Sequence, residues 1–229
     1  MTTTTGPTTT GMTTTAGTAT ADDAVHTPAD TTQPTGATPD RARTAVLAVC
    51  AGLALNGLVL GPMWVLTPTA TFSETAALPA FAVSQRVSWA LLTLLVVLVP
   101  TLLRGGRRAV PRWTAPVLQL ALAAQAATNF VMGFVAPFLA DVAPQTLDIP
   151  GGTFQVATTA VWVGFIVVMV SAAVVLWRTG HSRVGAVLTA LGAIVIPGVG
   201  PLGAGVMALG LGLVALRQRR DAGLGRQTT

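Results

Sequence analysis

Four stretches of this chain run for about twenty residues without one charged side chain: Ala45–Leu66, Val87–Leu103, Ala115–Leu139 and Ala157–Trp177. A helix of about that length crosses the ~30 Å hydrocarbon core of a bilayer. Soluble domains carry about a quarter charged residues, and this chain carries 9% against 52% apolar. So few charged groups cannot cover a globular surface, and lipid is the expected surroundings. The fold expected is therefore all-α: a polytopic helical membrane protein. The second stretch is the shortest; its alternative, an extension back toward Phe81, would bring Arg86 into it.

A fifth apolar run, Val184–Leu216, is interrupted by "VIPGVGPLGAG" at Val195–Gly205. As one helix it would measure ~50 Å, too long for a single crossing. Arg183 flanks one end and Arg217, Arg219 and Arg220 the other. Pro197, Gly198, Gly200 and Pro201 supply the material of a hairpin turn. Gly198 is expected in the left-handed conformation that ends a helix, and Pro201 in the first turn of the next. The reading is two helices, about Val184 to Ile196 and about Gly200 to Leu216, which makes six membrane helices. The alternative is five, with one kinked last helix and an external C-terminus.

The arginines orient this arrangement. The chain's thirteen basic residues are all Arg, the usage a GC-rich bacterial genome produces. Arg41 and Arg43 precede the first stretch. Arg104, Arg107, Arg108 and Arg112 lie between the second and third, and Arg178 and Arg183 follow the fourth. The opposite side carries Arg86 with Glu74, Asp141 and Asp148. Basic excess marks the cytoplasmic side. The N-terminus is therefore expected inside a plasma membrane, with the 67–86 and 140–156 loops outside and the C-terminus inside. The same placement explains the high isoelectric point, so no nucleic-acid partner is expected. Trp64, Trp89 and Trp162 fall near outer helix ends, Trp113 and Trp177 near inner ends, as in an interfacial belt.

Residues 1–40 are Thr-rich with scattered Gly and Pro, and carry acidic but no basic side chains. Such a segment buries too little to offset its conformational entropy and reads as a disordered cytoplasmic tail. It lacks the basic start and apolar core of a signal peptide. The domain plan is a tail over 1–40, a helical membrane domain over 41–217 and a short basic tail over 218–229.

Within lipid, helices associate through small residues and polar side chains. Gly57 and Gly61 form one small-residue pair, and Ala204, Ala208 and Gly212 a second stripe. The polar groups at membrane depth are Asn56, Gln119, Gln125 and Asn129, which serve as interhelical contacts or as a polar groove. Gln125, Asn129, Gly133 and Pro137 recur every fourth residue, and Pro137 leaves one backbone carbonyl without its helical donor. The single cysteine, Cys50, reads as a buried small hydrophobe. His26 and His181 have no ligand neighbours at metal spacing, and Asp141 and Asp148 read as solvated loop residues. HExxH, GxSxG and phosphate-loop patterns do not occur. No catalytic residue, cofactor or metal is expected. The function expected first is a non-catalytic accessory, scaffold or partner-binding subunit, contacting lipid and another membrane protein or a second copy of itself. The alternative is a transporter or channel for a small neutral or lipid-like molecule.

Overall fold

In a computed structural model the protein is described over residues 39–104 and 109–225, with side chains at 41–104, 109–197 and 200–218. Residues 1–38 of the tail, with His26, and residues 105–108 of the 104–112 loop lie outside these residues. Every described element is helical. Helix α1 runs as Pro39–Leu55, widens into a π-turn at Asn56–Leu60 and ends as Gly61–Val65. A short helix α2, Phe72–Ala77, leads into α3, Pro79–Leu103. Helix α4 comprises Thr114–Phe130, a second π-turn at Val131–Val135, and Ala136–Val142. Then come a 3-10 turn at Pro144–Thr146 and the helices α5, Thr153–Arg178, α6, Arg183–Val199, and α7, Pro201–Gly225. Five helices are long and apolar enough to cross a membrane, and the apolar part of α6, Arg183–Pro197, is shorter.

Both π-turns have a sequence cause. Pro62 has no N–H for the Leu58 carbonyl and Pro137 none for that of Gly133, so the chain is under-bonded one turn before each proline. A turn of i→i+5 bonds absorbs the defect: Gly61 N–H reaches the Asn56 carbonyl, and Ala136 N–H that of Val131.

The six long helices close a ring in the order α1–α3–α4–α5–α6–α7 and back to α1, with α3 and α7 also touching across it. The last helix thus packs on the first, and glycines set how closely. A Cβ on Gly57 would overlap the Pro201 carbonyl and lie 2.9 Å from Gly205 Cα. Gly61 faces Pro201 and Leu202, and Gly212 faces Cys50, so α1 and α7 run antiparallel. The opposite side of α7 meets α6 in the same manner. A Cβ on Gly192 would overlap Met207 N, one on Gly203 would lie 2.6 Å from Ile196 N, and one on Gly210 2.5 Å from Thr189 N. Ala208 is fully buried, while Ala204 is half-buried.

Three sequence expectations need correction. The turn between α6 and α7 is at Gly200 (φ +47°), not Gly198, through which α6 continues to Val199. Pro201 must start α7 at once, so the left-handed residue is the one directly before it. Helix α7 also continues to Gly225, past the expected end at Leu216, and Gln218 is buried, donating to the Leu102 carbonyl at 2.6 Å. Finally, Arg86 is not a loop residue. Pro79 opens α3 at its first helical position, which places Arg86 two turns inside it.

At the end of the bundle opposite α2, the chain leaves α5 through a glycine turn (Gly180, φ +83°) and buries His181. The Thr179 hydroxyl lies 2.8 Å from the Val175 carbonyl and 2.9 Å from His181 Nδ1. Its one proton serves the carbonyl, so Nδ1 carries the hydrogen and Nε2 stays bare, buried and without a partner. Burial lowers the His181 pKa from its ordinary 6.5, and the Arg217 charge lowers it further. The neutral ring therefore favours the fold fully above pH 6.5, and that advantage is lost as pH falls toward the lower folded value. The apparent melting midpoint in detergent should drop between pH 7.5 and 5.5, and His181→Asn, which keeps a donor near Nδ1, should flatten the drop. An unchanged slope in the variant would refute this assignment.

Candidate functional site

Between the ring helices, in the half of the bundle that carries α2, lies a cavity of about 280 Å³. Its floor is the tip of the α6–α7 hairpin: Ile196, Pro197, Gly200, Pro201 and Ala204 line it. The floor is there because α6 is short. Seventeen residues span ~26 Å, so the hairpin turns back before reaching the level of α2. The aromatic side chains Trp64, Phe72, Phe81 and Trp162 also line it, with the Trp64 ring packed against Gly200 of the hairpin tip. Trp64 meets Phe81 edge-on at 5.0 Å between centroids, and Phe72 meets Phe81 at 6.1 Å.

The polar wall comes from α3 and α4. Ser88, Gln85, Gln125, Thr128 and Asn129 all line the cavity. Ser88 Oγ accepts a 2.7 Å hydrogen bond from Asn56 Nδ2, which also donates to the Ser84 carbonyl at 3.1 Å. Gln125 Nε2 donates to Asn129 Oδ1 at 3.1 Å. Behind the wall surface, Gln125 Oε1 and Trp64 Nε1 are buried with no partner. Buried polar groups in proteins are normally paired, and an unpaired one calls for a partner. Among the described residues, no charged side chain lines the cavity.

Three of the four polar residues expected from the sequence therefore gather here: Gln125 and Asn129 in the wall, Asn56 behind Ser88. Gln119 does not join them. It is half-buried nearer the opposite end and donates to the Val96 carbonyl at 3.0 Å. The four-residue stripe on α4 also fails to stay on one face. Each step of four turns about 40° beyond a full circle, so Gly133 has swung round to the α3 backbone at Arg86. The face that does line the cavity is Gln125, Thr128, Asn129 and Met132. The Gly133 carbonyl, deprived of its donor by Pro137, accepts from Arg86 Nε at 2.8 Å, and the guanidinium lies 4.7 Å from the Phe134 ring centroid.

The aromatic wall had a weak sequence signal. Trp64 and Trp162 fit an interfacial belt, and only packing turns them inward; Phe72, Phe81 and Met132 carried no pattern. Among the described residues, no three His, Cys, Asp or Glu side chains converge as metal ligands would. Cys50 is packed in the core. Comparison with protein-family models, curated proteins and solved structures gives no match for the chain. The fold and the cavity define a helical protein of the membrane class with an uncharged internal chamber.

Proposed function

We propose that the chain is a six-helix plasma-membrane protein, with both termini cytoplasmic, that binds a small uncharged molecule in the central cavity and serves its passage. The observation that carries this reading is the wall chemistry: hydrogen-bonding side chains beside aromatic rings, with no charged one among the described lining residues. An ion entering such a wall would lose its hydration without compensation. A neutral molecule with both a donor and an acceptor would gain partners. The volume is near the lower end of the ~300–1,000 Å³ of ligand pockets, which favours a compact solute. Of the two roles expected from the sequence, the wall chemistry favours passage over scaffolding, and it involves no catalytic step. The orientation rests on the arginine distribution and on a hairpin that returns the chain to its starting side.

Accessibility tests this reading. In a Cys50→Ala background, the thiol of Ser88→Cys can be reached only through the cavity. It should react with neutral methyl methanethiolsulfonate at least tenfold faster than Cys50 does in the native chain. The anionic sulfonatoethyl analogue, corrected for its intrinsic reactivity, should react at least tenfold more slowly than the neutral reagent. No reaction with either would eliminate the cavity as a binding site, and equal rates would eliminate its selection for uncharged molecules.

A further inference from the structure

A second cleft, of about 460 Å³, lies beside α2 and the start of α5. Phe72, Met132 and Trp162 line both this cleft and the central cavity. Three side chains are thus a shared partition between two spaces, and one of them, Phe72, sits on the six-residue helix α2. Resting on the cavity reading above, we infer that α2 is the gate between the cleft and the central cavity, and that Asp148 is the latch that holds it shut.

Helix α2 is built to move as a unit. It has six residues, of which only Ser73 and Ala76 are buried. Segments with few buried contacts open at low free energy. It is joined to α1 by the irregular stretch 66–71 and to α3 by the single extended residue Leu78 (φ −68°, ψ 126°). Thr71 caps it through the Glu74 N–H. Among the described residues, its polar tie to a distant part of the chain is Asp148, whose two oxygens accept from Ser73 N at 2.9 Å and Ser73 Oγ at 2.6 Å. These bonds, the hydroxyl first, hold the Asp148 carboxyl below its usual pKa, so the latch is charged at neutral pH. Asp148 also lines the cleft, so a molecule arriving there meets the latch directly. With the latch closed, Phe72 rests between Phe81 and Phe154, at 6.1 and 6.0 Å.

The labelling rate of Ser88→Cys in the Cys50→Ala background, with the neutral reagent, reads the gate. Asp148→Ala and Phe72→Ala should each raise it at least fivefold. Thr158→Trp, which fills the cleft from the α5 side, should lower it at least fivefold. Cys50 in an otherwise native chain carrying Asp148→Ala should stay as slow as before, which separates gate opening from general loosening. Unchanged rates in all three variants, with Ser88→Cys still reactive, would overturn the gate while leaving the cavity reading intact. A rise at Cys50 matching that at Ser88→Cys would overturn it too. Absence of any Ser88→Cys reaction would remove the cavity reading itself.

Discussion

Gly57→Leu should leave little folded protein. A Cβ at this position would fall onto the Pro201 carbonyl and within 2.9 Å of Gly205 Cα and N. Every obstructing atom is backbone, so no rotamer change relieves the overlap, and α1 and α7 must separate. Overpacking commonly costs about 1–3 kcal/mol where side chains can adjust; here the ring itself must open, and the loss should lie at or above that range. Gly164→Leu is the matched control. It places the same side chain on an exposed face of α5 where nothing lies within 4 Å, and it replaces a poor helix former, worth about 1 kcal/mol in the other direction. Gel filtration in mild detergent and the apparent melting midpoint check both. A Gly57→Leu protein with native elution and midpoint would refute the close α1–α7 contact.

The second large effect concerns the C-terminus, and its readout is all or none. If the α6–α7 hairpin returns the chain to the side of Arg183, a fluorescent protein fused after Thr229 should be bright, and an export-dependent phosphatase fused there should be inactive. The phosphatase inserted after Ala143, in the loop at the α2 end, should be active. The expectation rests on the positive φ at Gly200 and on the antiparallel packing of α6 against α7 through Gly192, Gly203 and Gly210. The four arginines that follow Leu216 (Arg217, Arg219, Arg220 and Arg226) should hold that end in the cytoplasm. An active C-terminal phosphatase with a dark fluorescent fusion would leave five crossings and a last helix on the wrong side.

The helices were legible because a run without charge has only one stable form in lipid, with its backbone bonds satisfied internally. Their ends were less so. Pro79 is a helix-start signal two turns before Arg86, yet the charge at Arg86 argued locally for a loop. The guanidinium finds its compensation in the Gly133 carbonyl, 47 residues away along the chain, which no window of sequence displays. The hairpin's existence could be read from length and flanking charge, but two glycines of equal local preference stood in the turn. The start of α7 decided between them. The polar cluster was visible as Asn56, Gln125 and Asn129 because such residues are rare at membrane depth. Gln119 looked the same in sequence, and only the helix register sends it elsewhere. The aromatic wall was illegible as a wall, since Trp64, Phe72, Phe81 and Trp162 come from four separate helices. The small-residue motifs announced close contact without naming partners. Gly57 meets Gly205, and Gly205 is one residue off the Ala204–Ala208–Gly212 stripe.

Because α7 packs between α1 and α6, the ring has a seam, and that seam joins the first-made helix to the last. At ~5–20 residues per second, synthesis from the end of α1 at Val65 to the start of α7 at Pro201 takes roughly seven to twenty-seven seconds. Throughout that interval the glycine groove of α1 faces lipid or the insertion machinery with its own partner not yet made. The groove's narrowness, set by Gly57 and Gly61, then serves a second purpose. It admits only a helix that itself presents glycine, and α3, made soon after α1, contains none, which disfavours it as a premature occupant while the nascent chain waits for its C-terminal hairpin.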